Sequence, residues 1–203
     1  MQRPLVLRRN LAKFLLKISG WKTTGTAPER GVLVGAPHTS NWDWVSTLLL
    51  CWSSGFQPLL MVKKELFVPP LSWLLKVTGA VRLDRSNPRE TVDALIAAAK
   101  ATDGPFFIAL AAEGTRSKST YWKSGFRRLA IDMDLPVVLA SVDGPSKSIN
   151  WGPNFYPSDD VIADMDIVRE FYSTVTGINP ENTTPPLLRE EVEGFQPRPE
   201  KDA

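Results

Sequence analysis

The stretch from Gly31 to Trp44, GVLVGAPHTSNWDW, joins a short apolar run to a polar turn and then to the start of a helix-like segment. Short runs rich in Val and Leu, bounded by turn residues, are typical of strands inside a sheet. The same alternation of apolar runs and longer helix-like segments continues along the chain. It predicts an α/β fold with a mostly parallel central sheet flanked by helices.

The pattern places five strands and five helices after Gly31. Strands are predicted at about residues 31–36, 58–62, 79–83, 105–111 and 136–142. Helices are predicted at about residues 41–54, 70–77, 88–102, 124–133 and 159–176. Asn87 and Pro88 mark the third helix, since Asn is a good N-cap and Pro favours the first helical position.

The composition is that of a single globular domain. The chain has 203 residues, of which 43% are hydrophobic and 23% charged. A net charge of +2 falls short of the basic excess expected of a nucleic-acid-binding protein. We predict an N-terminal helix within residues 1–22, a domain over residues 23–180, and a Pro-rich tail over residues 181–203 that is irregular from Thr184 onward.

The N-terminal segment has the pattern of a basic amphipathic helix. Apolar residues recur at helical spacing, namely Leu7, Leu11, Phe14, Leu15 and Ile18. Cations fill the other face, namely Arg8, Arg9, Lys13 and Lys17. Such a helix either packs on the core or lies in the interface of an anionic membrane, and composition does not separate the two. The segment lacks the small-residue cleavage site of a secretory signal, and charges interrupt its apolar runs, so we expect neither an export signal nor a membrane span.

Polar clusters follow four of the predicted strands. They are His38 to Asp43, Lys63 to Glu65, Asp84 to Arg85, and Glu113 to Arg116. Ligands of open α/β sheets bind beyond the carboxyl ends of the strands. If these strands are parallel, the four clusters meet at one edge and form one site.

His38, the only histidine, stands five residues before Asp43. On a continuous helix the two side chains would lie roughly 140° apart, so a turn must intervene. Pro37 and an N-cap at Ser40 or Asn41 supply one, and Asp43 can then point back to His38. A carboxylate on one ring nitrogen leaves the other free to accept a proton. Alternatively, Ser40 and Asp43 form only a capping box, with His38 facing solvent.

The sequence EGTR at residues 113–116 either is suited to anion binding or is only a charged strand-to-helix turn in which Glu113 and Arg116 pair. Gly114 permits a tight turn with exposed N–H groups, and Arg116 offers a planar fork for a phosphate. Arg85 and Lys63 could add cations, although each is also an ordinary surface residue. With one His and one Cys, Cys51, a zinc site of the usual type cannot form. The sequence also contains no G-x-G-x-x-G fingerprint and no Walker A loop, and we expect no metal and no cofactor.

Four blocks, in this order, are similar to those of the glycerolipid acyltransferase superfamily, which includes the 1-acylglycerol-3-phosphate acyltransferases. The first is the His-x4-Asp block, and the second contains Lys63 and ends on Arg85. The third is residues 113–116, and the fourth is LPVVLASV around Pro136. Ala111 and Ala112 stand where the family usually has Phe-Pro, and the similarity fades after about residue 143.

The resemblance implies transfer of a fatty acyl group from acyl-CoA or acyl carrier protein to the hydroxyl of a lysophospholipid such as 1-acylglycerol-3-phosphate, in phospholipid biosynthesis. His38, held by Asp43, would be the catalytic base. The implied substrate-binding residues are Glu113, Gly114, Thr115, Arg116, Arg85 and Lys63. The implied partners are the acyl donor, the lysophospholipid and a membrane surface, with peripheral attachment on its cytoplasmic face.

Two alternatives stay open at this point. One is a catalytically silent, membrane-associated lipid-binding protein of the same fold. The other is an enzyme that transfers acyl groups between phospholipids or hydrolyses them. The acceptor head group, the acyl-chain length and the choice between CoA and carrier protein are not encoded in any motif of this sequence.

Overall fold

The computed structural model of the protein describes residues 3–83 and 88–192, which contain six α-helices and seven strands. The helices are α1 (Arg3–Ser19), α2 (Trp42–Ser54), α3 (Leu71–Val77), α4 (Pro88–Ala101), α5 (Gly125–Met133) and α6 (Val161–Tyr172). The strands are β1 (Lys22–Thr24), β2 (Arg30–Ala36), β3 (Leu59–Lys63), β4 (Ala80–Leu83), β5 (Phe106–Leu110), β6 (Val137–Asp143) and β7 (Ser148–Phe155).

The strands form one sheet in the order β1-β7-β6-β2-β5-β3-β4. Strands β2 to β6 are mutually parallel, and β7 pairs antiparallel to β6. The predicted α/β class and the single, mostly parallel sheet are confirmed. The five predicted strands, β2 to β6, agree with the structure to within one residue at each end. The carboxyl ends of these five strands therefore lie at one edge of the sheet.

The alternation of side chains along β2 divides the core into two layers. Val32 and Val34 pack in a cluster with residues of α4, α5 and α6, such as Phe126 of α5. Leu33 points the other way, into a cluster with residues of α1 and α2 such as Leu50. Helices therefore cover both faces of the sheet, as a buried parallel sheet requires.

Strand β7 was not predicted because its sequence contains Gly152 and Pro153. A Cβ atom at position 152 would lie 2.5 Å from the ring of Phe171, so the strand passes too close to α6 for a side chain there. Strand β1 pairs only with residues 148–150, which leaves the second half of β7 at the edge of the sheet. Pro153 is tolerated there because an edge strand has fewer backbone hydrogen bonds to lose.

The N-terminal helix forms as predicted, but the face that contacts the protein differs from the apolar face of the sequence pattern. Ala12 and Leu16 are buried against α2. Leu7, Phe14 and Ile18, in contrast, are exposed by 72%, 59% and 63%. The helix therefore presents most of its large apolar side chains outward.

Residues 180–192 pack on the domain. Leu188 is fully buried, and the backbone N–H of Trp122 donates to the carbonyl of Leu187 (2.9 Å). The indole N–H of Trp122 donates to the carbonyl of Thr184 (3.0 Å). The prediction that the chain wanders from Thr184 onward is therefore wrong for residues 184–192, because the buried side chain of Leu188 and the carbonyl of Leu187 hold this Pro-rich stretch against the domain, and Arg189–Glu191 form a 3-10 helix.

Candidate active site

The loop between β2 and α2 carries His38 at the carboxyl edge of the sheet. The Nδ1 atom of His38 lies 3.2 Å from Oδ2 of Asp43, and their side chains are 22% and 7% exposed. Because a carboxylate accepts hydrogen bonds, this contact places the proton on Nδ1 and leaves Nε2 with a free lone pair. The predicted turn between the two residues thus brings them together.

Asp43 also fixes the backbone of this loop. Its Oδ2 atom accepts hydrogen bonds from the N–H groups of Thr39 and Ser40, both at 2.7 Å. The capping box that the sequence also allowed is only half formed. The Asp43 carboxylate accepts from the N–H of Ser40, but the Ser40 hydroxyl accepts from the N–H of Trp42 and not from that of Asp43. The same carboxylate therefore both fixes the backbone just before α2 and contacts His38.

Glu113 follows β5 and lies next to the loop between β2 and α2 that carries His38, which we call the histidine loop. It is 1% exposed, and its Oε1 atom accepts a hydrogen bond from the backbone N–H of His38 (3.0 Å). Within the described part of the chain, Oε2 of Glu113 is buried without a hydrogen-bond partner. Burial raises the pKa of Glu113 to about 7, although the bond from His38 opposes that shift.

The turn after Glu113 displays the remaining EGTR residues. Gly114 has a φ of 68°, which is unfavourable for other residues, and a Cβ atom there would lie 3.3 Å from Cγ of Lys123. Thr115 and Arg116 are exposed. Among residues 3–83 and 88–192, Arg116 has no recorded hydrogen bond or ion pair, so its guanidinium is accessible to an anion. Glu113 contacts the histidine loop and not Arg116.

The structure locates the other predicted cations only in part. Lys63 is the last residue of β3, whose carboxyl end lies at the same edge as that of β2. Arg85 lies outside the described residues, as does Asn87. The structure thus brings together His38, Asp43 and Glu113, with Gly114 to Arg116 in the adjoining turn.

A family model described as acyltransferase matches residues 19–142. This match covers more than half of the chain and contains β2 to β5, all but the last residue of β6, the His38 loop and the EGTR turn. The chain belongs to the acyltransferase family. No curated protein sequence matches it significantly.

The fold of this acyltransferase is similar to that of a solved structure, the 1-acyl-sn-glycerophosphate (LPA) acyltransferase PlsC from Thermotoga maritima. The TM-score is 0.56, and the match covers 83% of this chain and 75% of that chain. The sequences are 18% identical, a level at which the likeness shows the shared fold.

The candidate site includes a further contact that the sequence did not predict. Asn179, in the loop after α6, donates from its side-chain amide to the carbonyl of Thr39 (2.8 Å). Its backbone N–H donates to the Thr39 hydroxyl (3.0 Å). The only local signals are a Gly-x-Asn turn pattern and Pro180, and neither points to a partner 140 residues away.

Proposed function

We propose that this acyltransferase moves a fatty acyl group from acyl-CoA or acyl carrier protein to the hydroxyl of a lysophospholipid such as 1-acylglycerol-3-phosphate. The observation that carries the proposal is the 3.2 Å contact between His38 Nδ1 and Asp43 Oδ2 at the carboxyl edge of the sheet. The family match and the PlsC-like fold support acyl transfer. The lysophospholipid acceptor rests on the resemblance of the four blocks.

In the proposed reaction, Nε2 of His38 removes the proton from the acceptor hydroxyl while Asp43 stabilises the resulting imidazolium. The alkoxide oxygen attacks the thioester carbonyl and forms a C–O bond. The tetrahedral intermediate then breaks its C–S bond, and the leaving thiolate receives the proton from His38. The amides of Thr39 and Ser40 already bind Asp43, so the oxyanion must find its donors elsewhere.

The acceptor phosphate is proposed to bind at the EGTR turn. Arg116 is exposed beside the site and has a planar fork that matches phosphate oxygens. The side chain of Lys123, which lies just before α5, approaches Gly114 of this turn and adds a second positive charge nearby. Arg85 and Lys63 complete the proposed binding set by the resemblance of the second block.

We propose peripheral attachment to the cytoplasmic face of a membrane; the exposed apolar side of α1 supports the attachment, and the face rests on the resemblance. Leu7, Phe14 and Ile18 project outward, and a helix of this kind lies in the interface with its apolar side inserted. Arg8 donates to the carbonyl of Val77 (3.0 Å) and so joins α1 to the end of α3. Helix α3 adds Trp73, which is 71% exposed, as a further large apolar side chain available to a membrane. In the described ranges, no helix is both long and apolar enough to cross a bilayer.

The proposal is tested by measuring thiol release from a long-chain acyl-CoA or acyl carrier protein. The acceptors are lysophosphatidic acid, other lysophospholipids and a panel of amines. We expect release that depends on the acceptor, and a loss of at least ~100-fold in His38→Ala. The protein's own thiol adds little background, because Cys51 is buried and burial raises the pKa of its thiol.

Each alternative gives a different result in this assay. Equal rates for wild type and His38→Ala contradict the proposed base. Thiol release without an acceptor indicates hydrolysis, and acyl transfer from a phospholipid without a thioester indicates a transacylase. Binding of lysophospholipid with no turnover from either donor indicates a lipid-binding protein.

A further inference from the structure

The loop over residues 176–179, after α6, lies directly against the loop that carries His38. Gly177 makes this approach possible, since its φ is 79° and a Cβ atom there would lie 3.1 Å from the Thr39 hydroxyl oxygen. The same Cβ atom would lie 3.2 Å from Cβ of Pro37. A side chain at this position would be strained by the positive φ and would require Thr39 or Pro37 to shift slightly.

Asn179 and Asp43 together occupy every polar group of Thr39. The Thr39 N–H donates to Asp43 (2.7 Å), its hydroxyl accepts from the Asn179 N–H (3.0 Å), and its carbonyl accepts from the Asn179 amide (2.8 Å). Thr39 is 2% exposed, so these bonds form away from water, where an unpaired polar group is costly. The peptide that follows His38 is therefore held from two sides.

The 176–179 loop is itself attached to the sheet. Oδ1 of Asp143, at the end of β6, accepts from the N–H of Thr176 (3.0 Å), and the N–H of Gly144 donates to the carbonyl of Gly177 (3.0 Å). Upstream, the Tyr172 hydroxyl lies 2.9 Å from the carbonyls of both Val34 and Ala140. These bonds fix the loop over residues 176–179 relative to the sheet. Through Asn179 the loop then fixes Thr39 relative to the sheet.

We propose that Asn179 is a positioning residue for His38. By holding Thr39 in place, Asn179 keeps Nδ1 of His38 hydrogen-bonded to Asp43 and keeps Nε2 directed at the acceptor hydroxyl. Asn179 lies beyond residues 19–142, so this contribution comes from a part of the chain that the family match does not include. The inference rests on the proposed role of His38 as the base.

The test compares Asn179→Ala with the matched control Asn182→Ala. The Asn182 side chain is in the same segment and has no recorded hydrogen bond within the described residues. Asn179→Ala is expected to lower kcat by about 10- to 100-fold because the base is misplaced. The KM values for donor and acceptor stay within about twofold of wild type, because Asn179 positions the base and does not bind either substrate. Asn182→Ala is expected to match wild type.

A second variant pair tests the other half of the contact. Thr39→Val removes the hydroxyl that accepts from Asn179 while keeping the size of the side chain. Thr39→Ser keeps the hydroxyl and is therefore expected to retain more activity than Thr39→Val. Rates are compared per folded protein, well below each variant's Tm, so that a loss of stability is not counted as a loss of catalysis.

The single histidine permits a direct spectroscopic readout. The ¹⁵N shifts of the neutral imidazole report its tautomer, and we expect Nδ1–H in wild type and a tautomer mixture in Asn179→Ala. Wild-type kcat and an unchanged tautomer in Asn179→Ala would overturn the inference, as would an increase in KM alone. Full activity of His38→Ala is a separate result, which removes the proposed base itself.

Discussion

The charge of Glu113 depends on its burial at the candidate site. Burial raises its pKa to about 7, whereas an unfolded glutamate titrates near ~4.3. Between these two values the folded protein binds a proton that the unfolded chain has released. Stability due to this group is therefore fully present below the unfolded pKa and is lost as the pH rises through 7.

The substitution Glu113→Gln tests this pH dependence of stability. Glutamine keeps an oxygen that accepts from the His38 N–H but carries no charge at any pH. We expect the free energy of unfolding of the variant, relative to wild type, to increase from pH 5 to pH 8. Urea denaturation at each pH measures it, with Glu181→Gln, at an exposed position, as the control. A difference that is constant over this range would contradict the buried, protonated carboxyl.

The sequence pattern of α1 predicts the helix but not how the helix packs on the domain. Its helical spacing correctly predicts a helix and which side chains share a face. It does not predict what covers that face, because that depends on how the helix fits α2. The structure buries Ala12 and Leu16, whose small and medium side chains allow close packing, and leaves Phe14 outside.

Some contacts of the histidine loop could be predicted from the sequence, and others could not. The contact between His38 and Asp43 is local, so turn and N-cap residues were enough to predict it. The contact of Glu113 with the backbone of His38 required the pairing of β2 with β5, which the sequence indicates only as a shared edge. To predict the contact of Asn179 with Thr39, the path of the chain after β6 would have to be known, and β7, the first strand on that path, was not predicted.

The membrane proposal for α1 is tested by two matched isoleucines. Ile18 is in the last turn of α1, and Ile131 is near the end of α5, on the opposite face of the sheet, with exposures of 63% and 56%. Ile18→Asp is expected to reduce binding to vesicles with anionic lipid by about tenfold, since it removes an apolar anchor and adds like charge. Ile131→Asp is expected to bind as wild type. Equal binding of both variants in co-sedimentation would contradict attachment through α1.

For the whole molecule, the structure indicates that the family match and the segment that follows it form one folding unit. The match ends at residue 142, yet α6 supplies Tyr172 to the sheet and Leu188 packs in the same cluster as Trp122. Trp122 immediately precedes Lys123, whose N–H donates to the carbonyl of Ala112 (2.7 Å), next to Glu113. The C-terminal segment thus supports the turn that carries the EGTR residues.

Leu188→Ala tests this integration. Because Leu188 is fully buried, its truncation should lower the free energy of unfolding of the entire domain by about 2–5 kcal/mol. A single denaturation transition should remain, since the segment and the sheet share one core. Leu187→Ala is the matched control: its side chain is only partly buried, and its carbonyl still accepts from Trp122, so the cost should be less than half as large. If residues 181–203 were instead a tail independent of the domain, neither substitution would move the denaturation midpoint, and the EGTR turn would have to be supported by the matched region alone.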